Sequence, residues 1–278
     1  MQAAGASRRS WTFGLDACSE RLQGLDNGRL DLRAWRGVLG AHQYRWTIDA
    51  MARCAPEGAT VLDWGAGQGF FSYWLVANGF DVTSLDLSEP PLRDELERRA
   101  DGRYHPVVAT DPRTLPFDDA TFDIVTSVGV LEHVTESGGD EESSLREVAR
   151  VLRPDGRFIC SQLPSRQSWV EWIVRRFFPA RFSHAVRFDW PDVERLLSTA
   201  GLSLVDRARY GAFPRNSLNR LPAAVRNSHA LAALSDDVDR MLCVLIGPLA
   251  QNLGFVAAPT ADALIWRRAP PPGPPGAT

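Results

Sequence analysis

The residues best placed for chemistry stand in the motif VLDWGAGQG (61–69), where a short apolar run ends in an acid. Asp63 is followed by glycines at alternate positions, Gly65, Gly67 and Gly69, and then by the helix pattern FFSYWLVAN. Glycine lets the backbone adopt left-handed angles and lets a ligand approach the main chain closely. A strand, a glycine turn and a helix in this order predict a nucleotide-binding corner.

A second acid, Asp86, ends the next apolar run, SLDLS (84–88). A carboxylate at the end of a second strand can accept both hydroxyl protons of a ribose. The glycine spacing is G-x-G-x-G rather than the dinucleotide spacing G-x-G-x-x-G, and the loop alone is also typical of an ordinary tight turn. The loop and Asp86 together favour a bound nucleoside.

These motifs resemble those of the class I S-adenosylmethionine-dependent methyltransferases, in particular the small-molecule enzymes that include the ubiquinone-pathway O-methyltransferases. The resemblance continues through residues 111–134 and 145–159; it covers 45–165 well and the C-terminal part loosely. It implies S-adenosylmethionine as cofactor and S-adenosylhomocysteine as its product. It also implies methyl transfer to a small-molecule acceptor in specialised metabolism, with O-methylation favoured over C- or N-methylation.

The resemblance further implies which residues bind the cofactor. Asp63 would lie near the amine, Asp86 would bind the ribose hydroxyls, and Asp111 would accept from the adenine amino group. Arg45 would bind the methionine carboxylate through its guanidinium fork, the alternative being a surface arginine on a helix. The full predicted set is Arg45, Asp63, Gly65, Ala66, Gly67, Asp86, Leu87, Asp111 and Ser127.

Two residues depart from the family pattern. Pro112 has no N–H, so the backbone contact that the family usually makes to adenine at this position is missing or comes from elsewhere. Trp64 stands where a smaller aliphatic residue is usual, and it either presses on the methionine end or fills a gap. Neither change removes a charged contact, so the cofactor prediction stands.

The segment LEHV (131–134) follows the predicted fourth strand, at the mouth of the site. His133 is the candidate catalytic residue, a general base whose ordinary pKa lies near neutrality. The alternative is a structural histidine in the helix that follows. Glu132 is interpreted as structural, and His184 and His105 as loop residues.

Trp169 and Trp172 are the candidate acceptor-binding residues. They lie in an aromatic, arginine-rich segment (169–182) whose apolar residues recur at helical spacing. One interpretation is a core-facing helix with a solvated basic face. A second is a cap over the acceptor, whose arginines attract an anionic molecule. A third is a surface that meets anionic lipid.

Composition narrows the choice of function. The net charge is −3, so no basic field would concentrate nucleic acid, and no such partner is expected. The four cysteines are scattered and the acids at 140–142 fit a helix N-terminus, so no metal is predicted. All 31 basic residues are arginine, which excludes Schiff-base and P-loop lysines. Without a secretory pattern or a membrane-spanning segment, we expect a cytoplasmic monomer or homodimer.

Two other classes of function fit part of the pattern. A nicotinamide-dependent oxidoreductase would share the fold, but the glycine spacing and the LPF and RPDG segments disfavour it. A non-catalytic binding protein would keep the fold without turnover, and the intact acids Asp63, Asp86 and Asp111 argue against it.

Strands alternating with helices predict an α/β protein with a doubly wound, Rossmann-like, mostly parallel seven-stranded sheet. The first predicted strand contains Val61 and Leu62, and the others cover 81–87, 107–111, 122–128, 157–163, 202–210 and 262–268, with a turn at 153–156. The predicted organisation is a helical N-terminal lid segment (1–55), a cofactor-binding core (56–164), cap insertions with the last strands of the same domain (165–269), and a disordered tail (270–278).

Overall fold

Seven strands form one sheet in the computed structural model, which describes residues 11–111, 113–178, 184–213 and 215–261. The strands are β1 (Thr60–Trp64), β2 (Asp81–Asp86), β3 (Tyr104–Val108), β4 (Phe122–Val128), β5 (Leu152–Pro164), β6 (Leu202–Tyr210) and β7 (Asn252–Pro259). Their order is β3-β2-β1-β4-β5-β7-β6. The pairs among β1 to β5 are parallel, and β7 runs antiparallel to both of its neighbours. The predicted fold class is confirmed.

Helices lie before the sheet in the chain, between its strands and in an insertion before β7. They are α1 (Leu15–Leu25), α2 (Val38–Ala41), α3 (Arg45–Cys54), α4 (Phe70–Ala77), α5 (Arg93–Ala100), α6 (Glu141–Val151), α7 (Trp169–Phe177), α8 (Trp190–Thr199), α9 (Arg215–Leu218), α10 (Ala223–Arg226) and α11 (His229–Ile246). Short 3-10 turns cover Arg33–Arg36, His42–Tyr44, Leu131–His133 and Gly247–Leu249. Among the described helices, none combines the length and apolar character that a membrane crossing needs.

Two apolar cores lie on opposite faces of the sheet because successive strand side chains point in opposite directions. In β1, Val61 belongs to the core that contains α1 and α4, whereas Leu62 belongs to the core that contains α6 and α8. Both side chains are fully buried. A central strand buried on both faces explains why VL is apolar at consecutive positions.

The third and seventh strands differ from their predicted positions. The structure places β3 three residues earlier than 107–111, so the prediction was late by that amount. The strand includes Pro106, which an edge strand tolerates because it has a neighbour on one side only. The seventh strand is Asn252–Pro259, whereas the predicted 262–268 lies outside the described residues. The apolar segment 241–258 is therefore the end of α11 followed by β7.

The predicted turn at 153–156 is absorbed into β5. Leu152 pairs with Phe122, and the next aligned pair joins Arg157 to Ile124, so the register against β4 shifts across these four residues. The prediction of a separate turn was wrong, because the residues bulge within one strand instead of ending it.

Helix caps follow the sequence signals. Asp140 accepts a hydrogen bond from the backbone N–H of Ser143 (2.8 Å), so the acidic run 140–142 begins α6, as predicted. Asp189 caps α8 in a reciprocal pair with Asp192, with Pro191 in the first turn. Pro112, residues 1–10 of the predicted lid segment and the tail predicted to be disordered, 270–278, lie outside the described residues.

Candidate active site

The glycine loop between β1 and α4 has left-handed backbone angles at Gly65, Gly67 and Gly69 (φ +77°, +55° and +85°). The N–H groups of Gly65 and Ala66 donate to the carbonyl oxygen of Leu85 (2.8 and 3.2 Å), which joins the loop to the end of β2. A Cβ atom at Gly65 would overlap the γ-methyl groups of Val130, whereas one at Gly67 would meet nothing within 4 Å. Gly65 thus serves packing, and Gly67 leaves the main chain open to a ligand.

Asp63 is 2% exposed at the end of β1. Its carboxylate accepts from the hydroxyls of Ser72 in α4 (2.6 Å) and Thr126 in β4 (3.1 Å). Burial raises the pKa of Asp63 to about 6, against the opposing effect of these hydrogen bonds. A cation placed beside a buried carboxyl of this kind strongly lowers its pKa and favours the charged form.

Asp86 lies beside the glycine loop. One carboxylate oxygen accepts from the N–H of Gly67 (2.7 Å) and the other from the N–H of Leu87 (2.6 Å). These bonds fix the carboxylate against the loop backbone while its remaining lone pairs can accept further donors.

A cavity of about 1290 Å³ opens between the glycine loop, the N-terminal segment and the helical insertion before β7. Of the predicted residues, the cavity wall contains Arg45, Asp63, Gly65, Ala66, Gly67 and His133. The others, which are Asp86, Leu87, Asp111, Ser127, Trp169 and Trp172, lie outside the wall. Arg45 is half-exposed and its Nε lies 3.4 Å from a carboxylate oxygen of Asp49.

Asp111 is engaged by a neighbouring arginine, and Ser127 is buried within the sheet. The guanidinium of Arg113 donates to Asp111 (3.1 Å) and holds the pKa of that carboxyl below its usual range. Ser127 is fully buried in β4, where it pairs with Cys160 of β5. Their predicted contacts with the cofactor stay predictions.

The α7 segment does not face a core. None of its residues is buried, Trp172 is 63% exposed, and the indole N–H of Trp169 donates to the carbonyl oxygen of Ala212 (3.0 Å). The core-facing interpretation is therefore wrong for the described part of the segment, 169–178. The cap and lipid-surface interpretations remain predictions.

His133 ends the 3-10 turn that follows β4. It lies next to Glu132 and His184, for which the sequence predicted no catalytic role. Its Nδ1 lies 3.0 Å from the carboxylate of Glu136, and its ring centroid lies 5.9 Å from that of His184. Glu132 is 3% exposed, and burial raises its pKa. His184 and Glu132 both line the cavity, although the sequence interpretation treated one as a loop residue and the other as structural.

Gln162 is a cavity residue that sequence reasoning missed. It lies in β5 with a left-handed backbone (φ +57°), uncommon for a residue with a side chain. Its N–H donates to the hydroxyl of Tyr210 (2.5 Å), whose ring stacks on Trp46 at 5.8 Å. Non-glycine residues held in such angles cluster at functional sites. The sequence gives no local signal for this position, because glutamine is not typical of left-handed backbone angles.

A charged network joins the N-terminal segment to the insertion. His42 is buried, and its ring nitrogens lie 2.7 Å from Asp16 in α1 and 2.7 Å from Asp236 in α11. Arg215 also donates to Asp236 (2.6 Å). Burial lowers the pKa of His42, but the two carboxylates outweigh burial and hold it above its ordinary value of 6.5.

Comparison with known proteins agrees with this architecture. Residues 62–160 match a family model described as a methyltransferase domain. The demethylmenaquinone methyltransferase of Thermobifida fusca is 34% identical over 189 residues, which cover 60% of this chain and 78% of the relative. That of Beutenbergia cavernae is 36% identical over 138 residues, 50% of each chain. The chain spans about half the length of several curated relatives that it matches.

A solved structure matches nearly the whole chain. It is 1,6-didemethyltoxoflavin-N1-methyltransferase of Burkholderia thailandensis, with bound 1,6-didemethyltoxoflavin and S-adenosylhomocysteine. It aligns with a TM-score of 0.53 at 22% identity and covers 94% of this chain and 93% of that chain, a likeness that shows the fold. Because the Thermobifida fusca relative is matched over 78% of its length, the chain belongs to the class I S-adenosylmethionine-dependent methyltransferase family.

Proposed function

We propose that the chain transfers the methyl group of S-adenosylmethionine to a hydroxyl oxygen of a small molecule, in specialised metabolism and in the cytoplasm. The observation that carries the proposal is that the glycine loop and His133 open on one cavity of about 1290 Å³. Ligand pockets are commonly about 300–1,000 Å³, so this cavity has room for a cofactor and an acceptor together. Bound S-adenosylmethionine supplies a methyl group on a positively charged sulfur, which is already a strong electrophile.

The residues of the glycine loop fit this cofactor. The open space at Gly67 lets the methionine portion lie along the main chain. Asp63 lines the same space and, as a carboxylate, would bind the amine. Asp86 keeps lone pairs for the ribose hydroxyls after accepting two backbone N–H groups. Arg45 lines the same cavity and would bind the methionine carboxylate.

The acceptor would lie on the side formed by the N-terminal segment and the insertion. The cavity is lined there by Tyr44 and Trp46 of the N-terminal segment, Tyr210 at the end of β6 and Phe213 after it, and these aromatic rings suit a flat acceptor ring. Curated relatives include a ubiquinone biosynthesis O-methyltransferase of Caulobacter vibrioides, 35% identical over 116 residues, so hydroxylated rings are the first acceptors to try. The chain's task is to hold an acceptor atom in line with the methyl group, and positioning of this kind can contribute about 7–11 kcal/mol in the best cases.

Two titrations and a turnover assay test the proposal. Calorimetry of the full chain should show binding of S-adenosylmethionine and no binding of NAD⁺. The chain belongs to a family that uses S-adenosylmethionine, which argues against the nicotinamide-dependent oxidoreductase. A labelled-methyl assay against phenolic and quinol acceptors should then show product. Cofactor binding without turnover on any acceptor would support the non-catalytic alternative, and absence of cofactor binding would contradict the proposal.

A further inference from the structure

A cluster of metal-ligand residues lies on the cavity wall. Glu132 and His133 come from the turn after β4, and His184 comes from the segment before α8. Each offers one ligand atom, and these atoms all lie within 4.8 Å of one another. All three residues line the cavity that the proposed function assigns to cofactor and acceptor.

The buried position of Glu132 carries an energetic cost. Its carboxylate is almost fully buried, and its Oε2 atom has no hydrogen-bond partner within the described ranges. A buried, unpaired carboxylate oxygen carries a desolvation penalty that a cation or a proton must offset. Glu171 in α7 has the same feature, because its Oε2 is buried without a partner among the described residues while Oε1 lies 2.8 Å from His184 Nδ1.

Each imidazole is oriented by a carboxylate. His133 Nδ1 lies 3.0 Å from Glu136, and His184 Nδ1 lies 2.8 Å from Glu171. Metal-binding histidines usually engage a carboxylate, carbonyl or water through the ring nitrogen that is not ligated, which fixes the ring and raises its basicity. Two histidines with this arrangement beside one buried glutamate form the pattern of a ligand set with its supporting shell.

We propose that Glu132, His133 and His184 bind one divalent transition-metal ion, with the histidines ligating through Nε2. Two imidazoles and one carboxylate suit Zn²⁺ and similar ions better than Mg²⁺ or Ca²⁺, which prefer oxygen ligands. Three protein ligands leave a position for an outside molecule, as catalytic zinc sites do. The role of the ion rests on the proposed function: it would bind the acceptor oxygen and lower the pKa of its hydroxyl, whose proton goes to solvent.

The ligand set was invisible in the sequence. The metal-free prediction rested on the scattered cysteines and on the acids at 140–142, which cap α6. His184 lies far along the chain from Glu132 and His133, and only the fold brings them together. In this arrangement His133 is a ligand, and the ion takes the place of an imidazole base.

The test measures metal binding alone, without cofactor or acceptor. The purified full chain is treated with a chelator, exchanged into metal-free buffer, and titrated with Zn²⁺ in competition with a chromophoric chelator and by calorimetry. We expect one ion per chain. The isosteric variant Glu132→Gln and the variant His184→Ala should each lose most of this affinity, and Glu171→Gln should weaken it about 10–100-fold, as outer-shell changes do.

His105→Ala is the matched control. His105 lies 3.0 Å from Asp81 in another histidine–carboxylate pair, on the edge strand β3. This variant should bind Zn²⁺ as the wild type does, and Co²⁺ absorption should report the same ligand field in both. Failure of the wild type to bind Zn²⁺, or equal binding by Glu132→Gln and by wild type, would overturn the proposal. Calorimetry with S-adenosylmethionine on the same samples separates this failure from a failure of the proposed function.

Discussion

The two sides of the cavity are built from different kinds of contact. On the cofactor side, the glycine loop is joined to β2 by backbone N–H groups, to the carbonyl of Leu85 and to the carboxylate of Asp86. On the acceptor side, side chains from distant parts of the chain meet. His42 bridges Asp16 and Asp236, and the N-terminal and inserted helices are also joined by paired amides.

These two kinds of contact imply a fixed geometry on the cofactor side and an adaptable geometry on the acceptor side. Backbone hydrogen bonds at strand ends depend on the fold itself, so the cofactor side tolerates few changes of backbone angle. Contacts between side chains can be replaced while the fold is kept, so the acceptor side can change its shape for a new molecule. Variants on the two sides should therefore have separable effects on cofactor affinity and on turnover.

The largest effect is expected at His133, where the acceptor side meets the glycine loop. His133→Ala should lower the rate of methyl transfer by about 10²–10⁴-fold. This is the range expected for loss of a group that assists deprotonation of the acceptor. Calorimetry should show unchanged affinity for S-adenosylmethionine. A rate within a few-fold of wild type would mean that positioning alone supports turnover and that the acceptor side has no such group.

Two glycines of one loop provide a matched pair. Ala at Gly67 costs about 1–2 kcal/mol for its left-handed backbone, since the added Cβ meets open space. Ala at Gly65 adds an overlap with Val130, an overpacking cost of about 1–3 kcal/mol. Urea unfolding should rank Gly65→Ala as the less stable variant, and calorimetry should show weaker cofactor binding by Gly67→Ala despite its milder destabilisation. Equal stability losses, or full affinity in Gly67→Ala, would contradict the roles assigned to these residues.

The pH dependence of cofactor binding reports on Asp63. Because burial raises its pKa to about 6, lowering the pH through 6 protonates the carboxyl that would bind the amine. Affinity for S-adenosylmethionine should fall below that pH by up to about tenfold per unit, since one pKa unit corresponds to about 1.36 kcal/mol. Asp63→Asn should bind more weakly at neutral pH and lack this change. A wild-type affinity that is flat between pH 5 and 7 would show that Asp63 supports the loop without touching the cofactor.

A smaller effect is expected from His42 on the acceptor side. Its pKa in the folded protein is raised, so its charged form stabilises the fold. That contribution is fully present below the ordinary value of 6.5 and is lost as the pH rises through the higher folded value. Urea unfolding of wild type and His42→Gln should therefore differ more at pH 6 than at pH 9. His105→Gln, at an exposed histidine of β3, is the control, and a difference that grows with pH would contradict the assignment.

The sequence predicted the cofactor side well because its signals are local. The apolar run before Asp63, the alternate glycines and the acid at Asp86 each constrain the backbone within a few residues. Strands β4 and β6 have the predicted bounds, and the helix N-terminus predicted at the acids 140–142 is capped by Asp140. The errors at β3 and β5 arose from residues that usually end strands, Pro106 and the segment 153–156, in places where an edge and a bulge accept them.

The acceptor side was harder because its contacts join positions far apart in the chain. No local pattern relates His42 to Asp236, or Glu132 to His184. The left-handed backbone angle of Gln162 cannot be predicted from its residue type. The aromatic spacing around Trp172 indicated a helix correctly, but the predicted core was wrong because spacing cannot tell an apolar face that is covered from one that is exposed.

The most direct test of the account is the affinity of S-adenosylmethionine for Asp86→Ala, measured by calorimetry. The variant removes the carboxylate that accepts from Gly67 and that would bind the ribose. We predict a loss of about 1.5–3 kcal/mol, or about 10–150-fold in Kd, as for a hydrogen bond to a charged group. Asp81→Ala, at the other end of β2, is the control and should bind as the wild type does. Equal affinity of Asp86→Ala and wild type would contradict the assignment of the cofactor to the glycine loop and the end of β2.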